Sequence, residues 1–301
     1  MKAIEIIGNK PQNQLTFPGV TRVDNIAYSR EGGLSTRGDV YYDKRFMSDT
    51  HRYPVMLNIH GGGFVMGDKK YRRSISEFWA DKGFFVFNIN YRMPPEKPYP
   101  ACITDCIDAL NYLKELEKEY PLDLSKTVVT GDSSGGYSAA YIAALKFSDG
   151  LAEKIGAPKI EVPIAACMPF CGIYDIELLM HTKIPFGMTQ DIGSMLFDFK
   201  INKDLSNIHD YKLIDSIAPS EFINENWCPV FLAWADDDLI CVGQGEPMYN
   251  KLRETVKTVG CYHAKGIVNN HCYHLITSMK ASRECLAAAV AFLKENGILE
   301  D

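Results

Sequence analysis

The order of apolar segments predicts an α/β fold with a mostly parallel sheet covered by helices on both faces, and three observations carry that expectation. Short apolar runs recur at 53–60 (YPVMLNIH), 84–90 (FFVFNIN), 127–130 (TVVT), 162–168 and 230–234, each bounded by Gly, Pro or Asp. Runs of that length without alternation suit strands buried on both faces. Helical segments separate them, and a strand, helix, strand order places the helices over the sheet faces through right-handed crossovers. A glycine-rich junction, Gly131-Asp132-Ser133-Ser134-Gly135-Gly136, joins the third run to a helical stretch beginning near Tyr137.

Taken in chain order, residues 22–45 alternate polar and apolar around Gly32-Gly33 and Gly38-Asp39, which predicts antiparallel strands joined by turns. The clearest helix spans 101–120, where Ile103, Cys106, Ile107, Leu110, Leu113 and Leu116 form one apolar stripe and Pro121 ends it. The interval 175–217 is rich in Met, Phe, Leu and Ile but holds no strand pattern. A structureless loop of that length is improbable, so a helical cap over one end of the sheet is expected. One domain spanning residues 1–301, with this insertion, accounts for the whole order.

Composition narrows the function. The 301 residues are 46% hydrophobic and 23% charged, proportions able to bury a large core, with a formal net charge of -6. No stripe of Lys or Arg could hold a phosphate backbone, so nucleic acid is not an expected partner. No run approaches the length of a membrane span and the first residues lack a signal-peptide core, so a cytoplasmic protein without a membrane partner is expected. The nine cysteines are odd in number and irregularly spaced. Free, mostly buried thiols fit better than a disulfide framework, and the Cys102/Cys106 and Cys167/Cys171 pairs lack zinc-site CxxC spacing, so neither a metal nor another cofactor is expected.

Two glycine motifs point to chemistry. In G-x-S-x-G between a strand and a helix, the serine sits on a turn so sharp that side chains two residues away on either side would collide with neighbouring elements. Ser133 is thereby presented at the top of the sheet, beside the unpaired N–H groups that open a helix. His60-Gly61-Gly62-Gly63-Phe64 follows the first buried run, and three glycines let main-chain N–H groups approach a ligand unobstructed. A phosphate loop is the rival reading, but neither G-x-x-x-x-G-K-[ST] nor G-x-G-x-x-G with its acidic partner is present.

Together with Asn90-Tyr91-Arg92-Met93-Pro94-Pro95-Glu96, Pro100-Ala101 and Asp105, these motifs make the chain resemble the hormone-sensitive-lipase-like esterases of the α/β-hydrolase superfamily, from about Val40 to the C-terminus. The resemblance implies the α/β-hydrolase fold, Ser133 as nucleophile, and the N–H groups of Gly62, Gly63 and Ser134 as an oxyanion hole; His60 would shape its loop. Ser134 stands where relatives usually carry Ala. The superfamily's order of nucleophile, acid and histidine puts both partners downstream. Alignment with relatives points to Asp237 as the acid, two residues before Leu239, flanked by Asp236 and Asp238; three adjacent carboxylates are also what a cap or a solvated loop would carry. His271 resembles the histidine of the family's His-Gly-Phe pattern, with Cys272 and Tyr273 following, and His274 is its competitor. The implied activity is hydrolysis of a small-molecule ester of short to medium acyl chain through an acyl-enzyme. An amidase, an arylformamidase or a small peptidase could use the same groups, and a receptor could keep the pocket without the chemistry. A homo-oligomer is compatible with all of these.

Overall fold

A computed structural model describes residues 10–48, 50–182, 188–266 and 269–300. Its centre is an eight-stranded sheet in the order β1-β2-β4-β3-β5-β6-β7-β8. β1 (Val20–Ala27) and β2 (Arg37–Asp43) form the expected antiparallel hairpin, and β2 runs antiparallel to β4 (Phe85–Ile89). From there β3 (Tyr53–Ile59), β5 (Leu122–Asp132), β6 (Ala166–Phe170), β7 (Val230–Ala235) and β8 (Val259–Ala264) are all parallel.

Every residue of β3, β4, β6 and β7 is buried, which is why these strands show no polar alternation in sequence. Their faces divide the core. Val55, Leu57 and Ile59 of β3 join one apolar cluster, with α2 (Ala101–Leu116) and α3 (Ser134–Phe147), whereas Met56 between them joins the cluster under α1 (Arg73–Asp81) and α8 (Lys280–Glu295). The predicted stripe of α2 is buried as expected. Asp105 on the same helix is buried too, where it accepts from the backbone N–H of Arg92 at 2.7 Å and is gripped by the Arg92 guanidinium at 2.6 Å. The Arg92 motif is thus a structural clamp between the loop after β4 and α2.

Three local expectations shift. Gly38-Asp39 lies inside β2, not in a turn, because Gly38 makes room for Phe87: a Cβ there would come 2.2 Å from the ring. The 127–130 run is the middle of a longer strand. The strand expected at 162–168 is β6, which starts later; Pro163 has no N–H to give, and the ladder with β5 begins where Ala166 meets Val128.

A short helix α4 (Leu151–Ile155) follows α3, and among the described residues between β6 and β7 the chain forms α5 (Ile176–His181), α6 (Thr189–Phe197) and three 3₁₀ turns, Ile208–Asp210, Ile214–Ser216 and Pro219–Phe222. The expected helical character is therefore present among the described residues; Phe186, one of the apolar residues of that interval, lies outside them. The Tyr99 N–H donates to the Leu196 carbonyl at 2.7 Å and the Tyr137 hydroxyl to that of Ile217 at 2.8 Å, so the loop that leads into α2 and α3 itself both anchor this segment. Among the described residues no helix is long and apolar enough to cross a membrane.

Candidate active site

Ser133 has φ 55° and ψ -121°, a backbone conformation that non-glycine residues rarely adopt. Two glycines make it possible. A Cβ on Gly131 would lie 2.5 Å from the Gly135 carbonyl, and one on Gly135 would lie 2.1 Å from the Ile59 carbonyl oxygen. The turn is held from the other side by the Ser133 N–H, which donates to Phe170 at 3.0 Å. α3 starts at once at Ser134, whose side chain is fully buried and does not reach the cavity described below.

The glycine loop after β3 packs directly on this elbow. A Cβ on Gly61 would meet the Ser133 Cβ at 2.8 Å, and Gly62, at φ 140°, would drive one to 1.9 Å from the Met66 carbonyl oxygen. Gly63, at φ 61°, faces open space. His60 stays buried beneath, stacked on Tyr91 at 4.5 Å with Nδ1 2.9 Å from the Gly61 carbonyl oxygen, and burial pulls its pKa down to about 4. Its ring thus lies against the backbone of the glycine loop. Asp132 is buried against Arg72 in a two-pronged ion pair of 2.5 and 2.6 Å; burial alone would raise the carboxyl pKa, but the guanidinium lowers it.

The carboxylate beside His271 is not the one expected from the sequence. Asp238, not Asp237, meets His271, with its two oxygens 3.0 and 2.9 Å from Nδ1. Asp236 and Asp237 form the turn that leaves β7, and the chain first turns back into the protein at Asp238, which is only 5% exposed. Asp238 Oδ1 also accepts the N–H groups of Ile240 at 2.9 Å and Cys241 at 2.7 Å. Burial would raise its pKa, yet the hydrogen bond and charge of His271, with these backbone donors, bring it below the usual value. Asp236 makes a second pair instead, with His263, which stacks on Trp234 at 4.6 Å near the surface.

Burial works against a charged His271, but Cys272, Cys241 and the bond to Asp238 outweigh it and raise its pKa well above the ordinary histidine value. Both thiols are themselves pushed up, Cys241 to about 11, so near neutral pH the Asp238 carboxylate is the charge that acts on the ring. His274, the competitor, lies in the 3₁₀ turn Tyr273–Leu275 and not at the start of a helix. It is 2% exposed and stacked on Phe170 at 4.4 Å, and burial lowers its pKa to about 3.

Ser133, Gly62, Gly63 and His271 line one cavity of about 370 Å³. The opposite wall comes from the segment between β6 and β7, through Ile176, Leu179, Met180, Ile192, Gly193 and Leu196. The chemistry-bearing groups therefore sit at the carboxyl ends of β3, β5, β7 and β8, and apolar side chains close over them. A family model described as BD-FAE matches residues 39–252, from β2 to α7 (Gly245–Thr255). The chain belongs to the BD-FAE family.

The motif resemblance in the sequence led to the same superfamily, and solved structures give this BD-FAE chain the α/β-hydrolase fold. Esterase B from Lactobacillus rhamnosis superposes with a TM-score of 0.83 at 19% identity, covering 98% of this chain and 94% of that one. A bacterial heroin esterase superposes at 0.72 with 20% identity, over 100% and 91% of the two chains. In sequence, esterase LipI of Mycobacterium tuberculosis is 40% identical over 131 residues, 43% of this chain and 40% of LipI. Lipase 2 of Moraxella sp. is 38% identical over 90 residues, covering 30% of this chain and 21% of the lipase. The matched stretches thus span less than half of these relatives' own length.

Three features of the BD-FAE site were not found by sequence reasoning. The residue that pairs with His271 was missed by one position, although Asp-x-Ile-Cys is a sequence in which a carboxylate can cap the N–H groups two and three residues on. Arg72 and Gln12 also line the cavity, Arg72 holding Asp132 and reaching Gln12 Oε1 at 3.1 Å; neither belongs to a motif. Cys241 brings its sulfur close enough to Asp238 and His271 that one potential ligand atom from each lies within 4.8 Å of the others.

Proposed function

We propose that the protein hydrolyses small carboxylic esters of short to medium acyl chain through an acyl-enzyme on Ser133, with His271 as general base and Asp238 orienting it. The observation that carries this reading is a serine on a left-handed elbow sharing a cavity with a histidine that is backed by a buried carboxylate. Relatives and structural neighbours named esterase or lipase support it.

Ser133 Oγ attacks the ester carbonyl while His271 Nε2 takes its proton, and Asp238 on Nδ1 stabilises the imidazolium that forms. The N–H groups of Gly62, Gly63 and Ser134 receive the negative oxygen. Collapse of the intermediate expels the alcohol, which leaves with the proton from His271. Water then repeats the sequence and frees the acid. Ser133 and His271 make no direct hydrogen bond among the described contacts, and such bonds commonly tighten only when substrate fills the site.

We read 175–217 as a cap on a single domain. Its apolar wall and a volume of about 370 Å³, near the lower end of small-molecule pockets, favour a modest acyl group over a long fatty chain. The test is labelling with an active-site-directed phosphonate. Wild type should be modified on Ser133 and lose its esterase activity, Ser133→Ala should lose about 10⁶ in turnover, and Ser134→Ala should remain active. Labelling at Ser134, or hydrolysis of a matched anilide faster than of its ester, would overturn the assignment of nucleophile or substrate respectively.

A further inference from the structure

We propose that Asp238, Cys241 and His271 form a binding site for a thiophilic divalent cation such as zinc, and that a cation held there reversibly silences the enzyme; the second half rests on the function proposed above. Cys241 has no part in the acyl transfer, yet the chain brings its sulfur to the acid and the base. Its own N–H donates to Asp238 Oδ1, which ties the two residues into one tight turn, while His271 arrives from the separate loop after β8 and meets the same carboxylate at 2.9 Å. One ligand atom from each of the three lies within 4.8 Å of the other two. Tetrahedral zinc with bonds of about 2.0–2.3 Å sets its ligand atoms roughly 3.3–3.8 Å apart, so a small inward movement closes the site.

The ligand set selects the metal. Thiolate, imidazole and carboxylate suit zinc, whereas magnesium and calcium require oxygen ligands. Asp238 and Cys241 are each 5% exposed, so water competes little for them, and His271 opens onto the cavity, where a fourth position can be filled by water. On binding, the zinc–sulfur bond forms and the thiol proton leaves to solvent. The effect on the base is the same whichever ring nitrogen coordinates. Zinc on Nε2 occupies the lone pair that would accept the serine proton; zinc on Nδ1 leaves the ring proton on Nε2, where no lone pair remains.

The experiment uses reduced, chelator-treated full-length protein and measures zinc uptake against a chromophoric chelator in parallel with turnover of p-nitrophenyl acetate. One zinc per chain should bind, turnover should fall in proportion, EDTA should restore it, and magnesium should do neither. Cys241→Ser should weaken zinc binding and inhibition together by at least about tenfold, since even outer partners of zinc sites count on that scale. Cobalt in place of zinc should give a thiolate charge-transfer band in wild type that Cys241→Ser lacks. Failure to bind zinc, or binding unchanged in Cys241→Ser, overturns the site. Zinc held through Cys241 with turnover undiminished would leave the site standing and remove His271 as the base.

Discussion

The two walls of the cavity are built by different means. On the sheet side, Gly131, Gly135 and Gly62 are fixed by backbone: a Cβ on any of them would strike a main-chain atom at 2.5 Å or less, and backbone cannot step aside. On the helical side the obstacle is a side chain, as at Gly193, where a Cβ would meet the end of Met180 at 2.3 Å. A wall set by backbone tolerates almost no change and should hold the reacting atoms. A wall set by flexible side chains can be retuned, and should govern only which acyl group fits. Substitutions on the first should therefore cost orders of magnitude on every substrate, and those on the second should redistribute activity among substrates.

The sharpest test compares the two histidine pairs at the ends of β7 and β8. His271→Ala should lower kcat by about 10⁴–10⁶, the scale on which removal of a triad base is felt. His263→Ala removes a pair of equal chemistry that touches Trp234 and Asp236 near the surface, and should leave kcat within about threefold, as surface changes do. Equal losses would mean that the cavity does not decide which pair works.

Next in size is the acid. Asp238→Asn keeps the shape and removes the charge, so it should favour the wrong imidazole tautomer and cost up to about 10⁴ in kcat. Asp237→Asn should cost little. The reverse result would restore the register expected from sequence.

The same contrast explains what was legible beforehand. The elbow, the glycine loop and the parallel sheet could be read because backbone constraints select residue types: only glycine fits at 131, 135 and 62, and doubly buried strands select unbroken apolar runs. The acid could not be placed to the residue, because Asp236, Asp237 and Asp238 are chemically identical. Only the turn at 236–237 decides which one faces inward. Arg72 escaped notice for a related reason, since its partner Asp132 is sixty positions away.

A smaller effect should appear in the pH profile. His271 must be neutral to accept a proton, and Asp238 raises its pKa, so kcat/KM should rise with pH through an inflection above that of an ordinary histidine, falling about tenfold per pH unit below it. In Asp238→Asn the residual activity should show that inflection at lower pH, because the neutral side chain no longer favours the imidazolium. An unmoved inflection would assign the titration to another group.

The gentlest change probes the helical wall alone. Gly193 lies in the middle of α6, where a Cβ would come 2.3 Å from Met180 Cε and 3.0 Å from both Met180 Sδ and Ile201 Cδ1. Gly193→Ala must therefore displace the thioether. Alanine is favoured over glycine within a helix by up to about 1 kcal/mol, so the fold should survive. Met180 and Gly193 both line the cavity, and a methionine swung away from α6 takes volume from it. If about two methylenes of an acyl chain lose their place, at about 0.8 kcal/mol each, kcat/KM for the longest accepted ester should fall roughly tenfold. Acetate, which does not reach that wall, should be hydrolysed within about twofold of the wild-type rate, because nothing on the sheet side has moved. A p-nitrophenyl ester series from acetate to palmitate measures this directly. The wild-type optimum should lie below decanoate without activation by an oil interface, and the variant's should lie at a shorter chain. A uniform loss along the series would mean that this wall, too, positions the reacting atoms, and the division between a chemical wall and a selecting wall would fall.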